Sequence, residues 1–119
     1  MADGLKGIAR LKRAMRVTSK AFAWAAKNEE AVQLELLGLF FLTPLAFWLG
    51  DSAVERVLLI GSLLLLLLVE LLNSAIESAI DRIGPEHHEL SGRAKDLGSA
   101  AVFVAMLIVA LSWGLVLLG

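Results

Sequence analysis

The sequence predicts an all-α integral membrane protein, with an N-terminal amphipathic helix on the membrane surface followed by three membrane-spanning helices. Three observations carry this. Of 119 residues, 58% are apolar, against roughly 45–50% in a soluble domain even with glycine counted. So short a chain has too little interior to hide the excess. The charges gather between long apolar runs, and the basic charges are lopsided along the chain. Zero cysteines exclude a disulfide scaffold, a thiolate zinc site and a cysteine nucleophile. A net charge of −1 offers nothing to nucleic acid.

The first element is a surface helix over 5–27. At 100° per residue, Ile8, Leu11, Met15 and Phe22 fall in one narrow stripe. Lys6, Arg10, Arg13, Arg16, Lys20 and Lys27 occupy the opposite side. A basic amphipathic helix of this kind lies at the cytoplasmic leaflet. No apolar core of signal-peptide type interrupts it.

The three spans follow at 30–50, 53–83 and 91–118. The last is the plainest, because 97–119 is a charge-free run of 23 residues, long enough to cross a bilayer. The first contains the apolar run 36–50, with Pro44 inside it, which membrane helices tolerate. The second contains 57–69, including the unbroken leucines of 63–68. These two runs are short for spans, but interfacial charges flank them: Glu35 and Asp51, then Arg56 and Glu70.

Ten of the 11 basic residues lie before residue 28 or between 82 and 95, and only Arg56 lies between the first two spans. The positive-inside rule places the N-terminus and the loop 84–90 in the cytoplasm. Trp48 and Trp113 then fall near the outer surface and Trp24 near the inner one.

The second span carries the chemistry. Glu70, Asn73, Glu77 and Asp81 are spaced by 3, 4 and 4, which aligns them on one helical face. The apolar residues between them continue the helix to Ile83. From Ala53 it is about 45 Å long at 1.5 Å per residue, against a hydrocarbon core of about 30 Å. Its cytoplasmic end must tilt or protrude, carrying Glu77 and Asp81 toward water and leaving Glu70 about a turn deep. A carboxylate there costs a few kcal/mol unless paired, protonated or hydrated. One reading makes this face polar packing, with Asn73 and Ser74 as interhelical glue. The other makes it a base and a metal site about 10 Å apart along the axis, suited to joining a lipid hydroxyl to something arriving from water.

Two further clusters lie at the same interface. Glu29, in Asn28-Glu29-Glu30, is either a carboxylate favoured by a helix N-terminus or, with Glu77, a ligand for magnesium, which commonly binds one or two carboxylates plus substrate phosphates. The run from Glu86 through His87, His88 and Glu89 to Asp96 follows the Gly84-Pro85 helix stop. It is either a solvated connector or a polyphosphate contact through Arg93 and Lys95, with Ser91 as the cap of the last helix. No P-loop or protein-kinase glycine loop is present, so nucleotide chemistry here needs another architecture.

At these residues the chain resembles the bacterial membrane-integral diacylglycerol kinase family. The resemblance rests on Glu70-Leu71-Leu72-Asn73-Ser74-Ala75-Ile76-Glu77, on Asp81-Arg82-Ile83-Gly84, and on the run from His88-Glu89-Leu90-Ser91-Gly92-Arg93-Ala94-Lys95-Asp96 through Val102. Asn28, Glu29, Glu35, Trp48, Arg56 and Trp113 match as well. His87 stands where relatives commonly carry an aromatic, and Thr18 where serine is more usual.

The resemblance implies a homotrimeric bundle in the bacterial inner membrane that phosphorylates diacylglycerol with MgATP. It implies Glu70 as general base and Glu29 and Glu77 as metal ligands. Nucleotide contacts are implied at Arg10, Glu29, Glu77, Glu86, His87, His88, Lys95 and Asp96. Lipid contacts are implied at Arg10, Ala14, Glu35, Trp48, Arg56, Glu70, Ser99 and Trp113. Two rivals remain at this stage. One is the same fold acting on undecaprenol. The other is a small proton-coupled transporter using Glu70, which leaves Glu77, Lys95 and Asp96 without a task.

Overall fold

A computed structural model describes residues 6–85 and 88–119. It contains four helices in the order α1 (Gly7–Asn28), α2 (Glu30–Leu49), α3 (Ala53–Ile83) and α4 (Glu89–Leu118). The last three are long and apolar enough to cross a membrane. α3 packs against both α2 and α4, while α1 packs against the base of α2. The central helix therefore carries the whole arrangement.

The helix ends follow local chemistry. α1 and α2 meet at a single extended residue, Glu29, whose N–H donates to Ala25 O at 2.8 Å and whose carbonyl accepts from Gln33 N at 3.1 Å. One residue thus closes one helix and opens the next. α2 continues through Pro44 to Leu49. The outer turn is a tight knot. Ser52 Oγ accepts from Glu55 N at 3.1 Å, and the Glu55 carboxylate accepts from Asp51 N at 3.0 Å, a reciprocal capping arrangement. Arg56 folds back over the turn, its Nε donating to Phe47 O at 3.2 Å. Gly50 makes room for it, since a Cβ there would sit 2.7 Å from Arg56 Cγ.

α4 begins at Glu89, ahead of the expected 91, and its cap is His88 rather than Ser91. His88 Nδ1 accepts from Leu90 N at 3.0 Å and its carbonyl accepts from Gly92 N at 2.9 Å. Ser91 thus lies inside the first turn. The imidazole supplies the acceptor that a hydroxyl normally supplies.

Two contacts between α3 and α4 fix their register. Near the outer end, Trp113 Nε1 donates to Leu59 O at 3.1 Å. Toward the inner end, Asn73 packs on Gly98, where any Cβ would collide with Asn73 Oδ1. Small residues allow this kind of close helix approach in membranes. A third cluster ties the inner ends of α1, α2 and α3: Ala25, Val32 and Leu67 are buried, with Phe22, Leu36, Leu39 and Leu71 packed around them.

The core ends there. Among the described residues only seven apolar side chains are buried. The radius of gyration is 17.4 Å, against roughly 13–14 Å for a compact globule of this length. Phe40, Phe41, Trp48 and Leu118 are all exposed. So much open apolar surface belongs against lipid or against other helices.

The Asn73–Gly98 contact sets an expectation. In an exposed helix, Gly→Ala gains up to about 1 kcal/mol. Gly98→Ala should instead lower the thermal unfolding midpoint in detergent, because overpacking costs about 1–3 kcal/mol. Adding Asn73→Ala should recover part of the loss. A stabilised Gly98→Ala protein would mean that the two helices do not meet this closely.

Candidate active site

The site is built on the C-terminal half of α3, where the 3, 4, 4 spacing sets four polar side chains in a row. Glu70 is half-buried, Asn73 is buried, and Glu77 and Asp81 are exposed. Among the three carboxylates of the row, burial within the chain falls from Glu70 to Glu77 and Asp81. Glu70 and Glu77 are separated by about 10 Å along the axis.

Four carboxylates gather around this face. Glu70 lies within electrostatic reach of Glu35 on α2, of Glu77 about two turns further along α3, and of Glu29 at the α1–α2 elbow. The Ala25, Val32 and Leu67 cluster holds these elements together. Glu35 faces an apolar groove of about 410 Å³ lined by Leu34, Gly38, Leu63 and Met106. Its Oε1 is buried and finds no hydrogen-bond partner among the described residues.

Asn73 is a functional candidate that spacing had marked only as interhelical glue. Its Nδ2 donates to Glu77 Oε1 at 3.0 Å, while its Oδ1 is buried against Gly98 with no partner. α4 therefore clamps the amide, and the amide holds one oxygen of Glu77. The i, i+4 offset between Asn73 and Glu77 was the available signal. Gly98 carried none, because a close approach to another helix is not written into local sequence.

α4 contributes the cation. Lys95 Nζ forms an ion pair with Asp81 Oδ1 at 2.9 Å, spanning the turn between α3 and α4. A polar cleft of about 220 Å³ opens beside it, lined by Asp81, His88, Ser91, Gly92 and Lys95. Arg93 pairs with Glu89 on its own helix at 3.2 Å. Asp96 and Ser99 are exposed on α4, on either side of the level where Gly98 meets Asn73.

Other expected residues lie further off. Arg10 and Ala14 are exposed on α1, roughly 28 and 22 Å along the helix axis from Glu29 by helix rise. One protomer does not close them around that carboxylate. Arg56 is about 21 Å along α3 from Glu70 and is tied to the outer turn. Trp48 is exposed at the outer end of α2, and Trp113 is bonded to Leu59. Glu86 and His87 lie outside the described residues.

The donor set fits magnesium. Glu29 and Glu77 offer hard oxygens from two elements, and among the described residues no three acidic or histidine side chains form a cage of their own. Two carboxylates that leave the remaining positions to water and phosphate match how this ion is usually held.

Comparison with known proteins shows which family the chain belongs to. The family model for prokaryotic diacylglycerol kinase matches residues 4–117. The chain belongs to the prokaryotic diacylglycerol kinase family. It is 44% identical over 117 residues to the diacylglycerol kinase of Escherichia coli strain K12, covering 98% of this chain and 96% of that one. It is 47% identical over 108 residues to that of Haemophilus influenzae, covering 91% and 92%. The Pseudomonas aeruginosa enzyme of the same name is 44% identical over 116 residues, covering 98% and 94%.

Proposed function

We propose that this chain is a lipid kinase of a bacterial inner membrane, transferring the γ-phosphoryl group of MgATP to the free hydroxyl of diacylglycerol and releasing phosphatidic acid and ADP. The observation that carries the reading is the graded carboxylate face of α3 in a chain of this family. Its deep member sits where a lipid hydroxyl lies, and its outer member sits where a water-borne nucleotide arrives.

Phosphoryl transfer asks a protein for positioning and charge stabilisation more than for covalent chemistry. Glu70 accepts the proton of the glycerol hydroxyl as its oxygen attacks the γ-phosphorus in line with the departing ADP oxygen. A positioned base of this kind contributes roughly 10²–10⁴ in rate. Glu29 and Glu77 would hold magnesium, which neutralises phosphate charge when bound. Asn73 fixes the Glu77 carboxylate, so that its free oxygen is preset. Lys95 supplies positive charge to the developing phosphate charge. Arg10, Glu86, His87, His88 and Asp96 complete the nucleotide contacts in this reading. Ala14, Glu35, Trp48, Arg56, Ser99 and Trp113 border the lipid.

The N-terminus faces the cytoplasm, because ten of the 11 basic residues then lie on the ATP side. α1 rests its stripe of Ile8, Leu11 and Met15 on the inner leaflet; these side chains are exposed in the chain by itself. Three copies assemble with shared sites. Support comes from the thin core of one protomer and from the separation of Arg10 and Ala14 from Glu29. Undecaprenol as the acceptor finds no support among the relatives compared, which are named for diacylglycerol.

Purified protein in mixed micelles, given ATP labelled at the γ-phosphate, should label diacylglycerol and leave undecaprenol unlabelled. Labelling of undecaprenol alone would move the chain to the rival substrate. Labelling of neither would remove the kinase reading.

The shared site has its own check. Subunits carrying Glu70→Gln should be inactive, as should subunits carrying Glu77→Gln. Mixed before assembly, the two should regain part of the wild-type turnover if each site draws its two acids from different chains. No recovery in mixed trimers would place both acids on one chain.

A further inference from the structure

Of the four polar groups on the inner face of α3, Asp81 alone has no part in the mechanism above. It stands one turn beyond Glu77, and its Oδ1 accepts from Lys95 Nζ at 2.9 Å. The pair links two helices across 14 positions of sequence. Arg93, by contrast, is paired within its own helix. Glu77 also lies within electrostatic reach of Lys95. The ammonium thus bonds Asp81 and feels a weaker pull from Glu77 one turn back, at the wall of the cleft that also contains His88 and Ser91.

We infer that Asp81 is a positioning residue, holding the Lys95 ammonium over the outer end of the carboxylate row so that it meets the nucleotide phosphates with little further ordering. The inference rests on the reading of Lys95 as a phosphate contact.

The physical case has three parts. Lysine is a point charge on a flexible four-carbon stem and loses rotamer freedom when fixed. A carboxylate that fixes it beforehand removes part of that loss from nucleotide binding. An ammonium has three donors, and Asp81 takes one, which leaves two for phosphate oxygens. The geometry also selects Asp81 over Glu77 as the anchor. Magnesium held by Glu77 would offset that carboxylate's pull on the ammonium, which leaves Asp81 as the anchor. Both side chains of the pair are substantially exposed, at 45% and 68%, so the held ammonium is open to a nucleotide arriving from water.

The test is a double-mutant cycle on the full-length protein in mixed micelles, measuring KM for MgATP and kcat separately. Asp81→Asn should raise KM about two- to fivefold, the range an exposed ion pair supports, with kcat nearly unchanged. Asp81→Glu should restore most of the affinity. Lys95→Met should raise KM by more, and adding Asp81→Asn to Lys95→Met should change KM no further. A purely structural strap would not give an effect on KM that vanishes once Lys95 is gone. If Asp81→Asn leaves KM unchanged while Lys95→Met raises it, or if the two effects add, Asp81 does not position Lys95 and the phosphate role of Lys95 stands. If Lys95→Met itself leaves KM unchanged, the phosphate role falls and the inference with it.

Discussion

In the proposed reading, a carboxylate held a turn below the lipid headgroups is the constraint on which the rest of this structure depends. Glu70 cannot stay charged and dry at that depth without cost, and the fold answers by continuing α3 well past the hydrocarbon. The same helix that buries Glu70 therefore delivers Glu77 and Asp81 to water. In the proposed reaction depth becomes a coordinate along one face, and Glu70 and Glu77 meet different reactants. A helix that ended at the membrane surface would carry the deep acid without the outer ones.

That extension needs bracing, because an apolar helix gains little from packing on another in lipid. The braces are polar and steric. Trp113 bonds the Leu59 carbonyl at one end. At the other, Gly98 lets α4 close on Asn73, and Asn73 grips Glu77. A packing contact thereby sets the orientation of a carboxylate. Beyond the turn, Lys95 and Asp81 join the same two helices again. Two of the contacts that hold α3 to α4, at Asn73 and at Lys95, thus also bear on groups to which the proposed reaction gives a chemical role.

Much of this was legible in the sequence, for physical reasons that particular residues make plain. The carboxylate face of α3 followed from spacing alone, since helix geometry turns 3, 4, 4 into a stripe. The outer turn was marked by Asp51 and Ser52 between apolar runs. The start of α4 was misplaced because serine is the expected cap, whereas the imidazole of His88, a less common acceptor, does the capping three residues earlier. The partners of Gly98, Trp113 and Lys95 were not legible, because each lies on another helix and nothing local specifies it. The full reach of the site was not legible either. Arg10 sits far along α1 from Glu29, and no pattern within one chain says which copy it serves.

The claim at the centre is that depth divides the labour between Glu70 and Glu77. Magnesium titrations of Glu70→Gln and Glu77→Gln, with MgATP affinity measured separately from turnover, test it most directly. Glu77→Gln should raise the magnesium requirement and weaken MgATP binding, because a carboxylate oxygen is lost from a site for a hard cation. Glu70→Gln should leave MgATP affinity nearly intact and lower turnover by roughly 10²–10⁴. If Glu70→Gln weakened MgATP binding as much as Glu77→Gln did, or kept full turnover, the two acids would not be divided by depth and the base would have to be sought elsewhere, with Asp96 next in line.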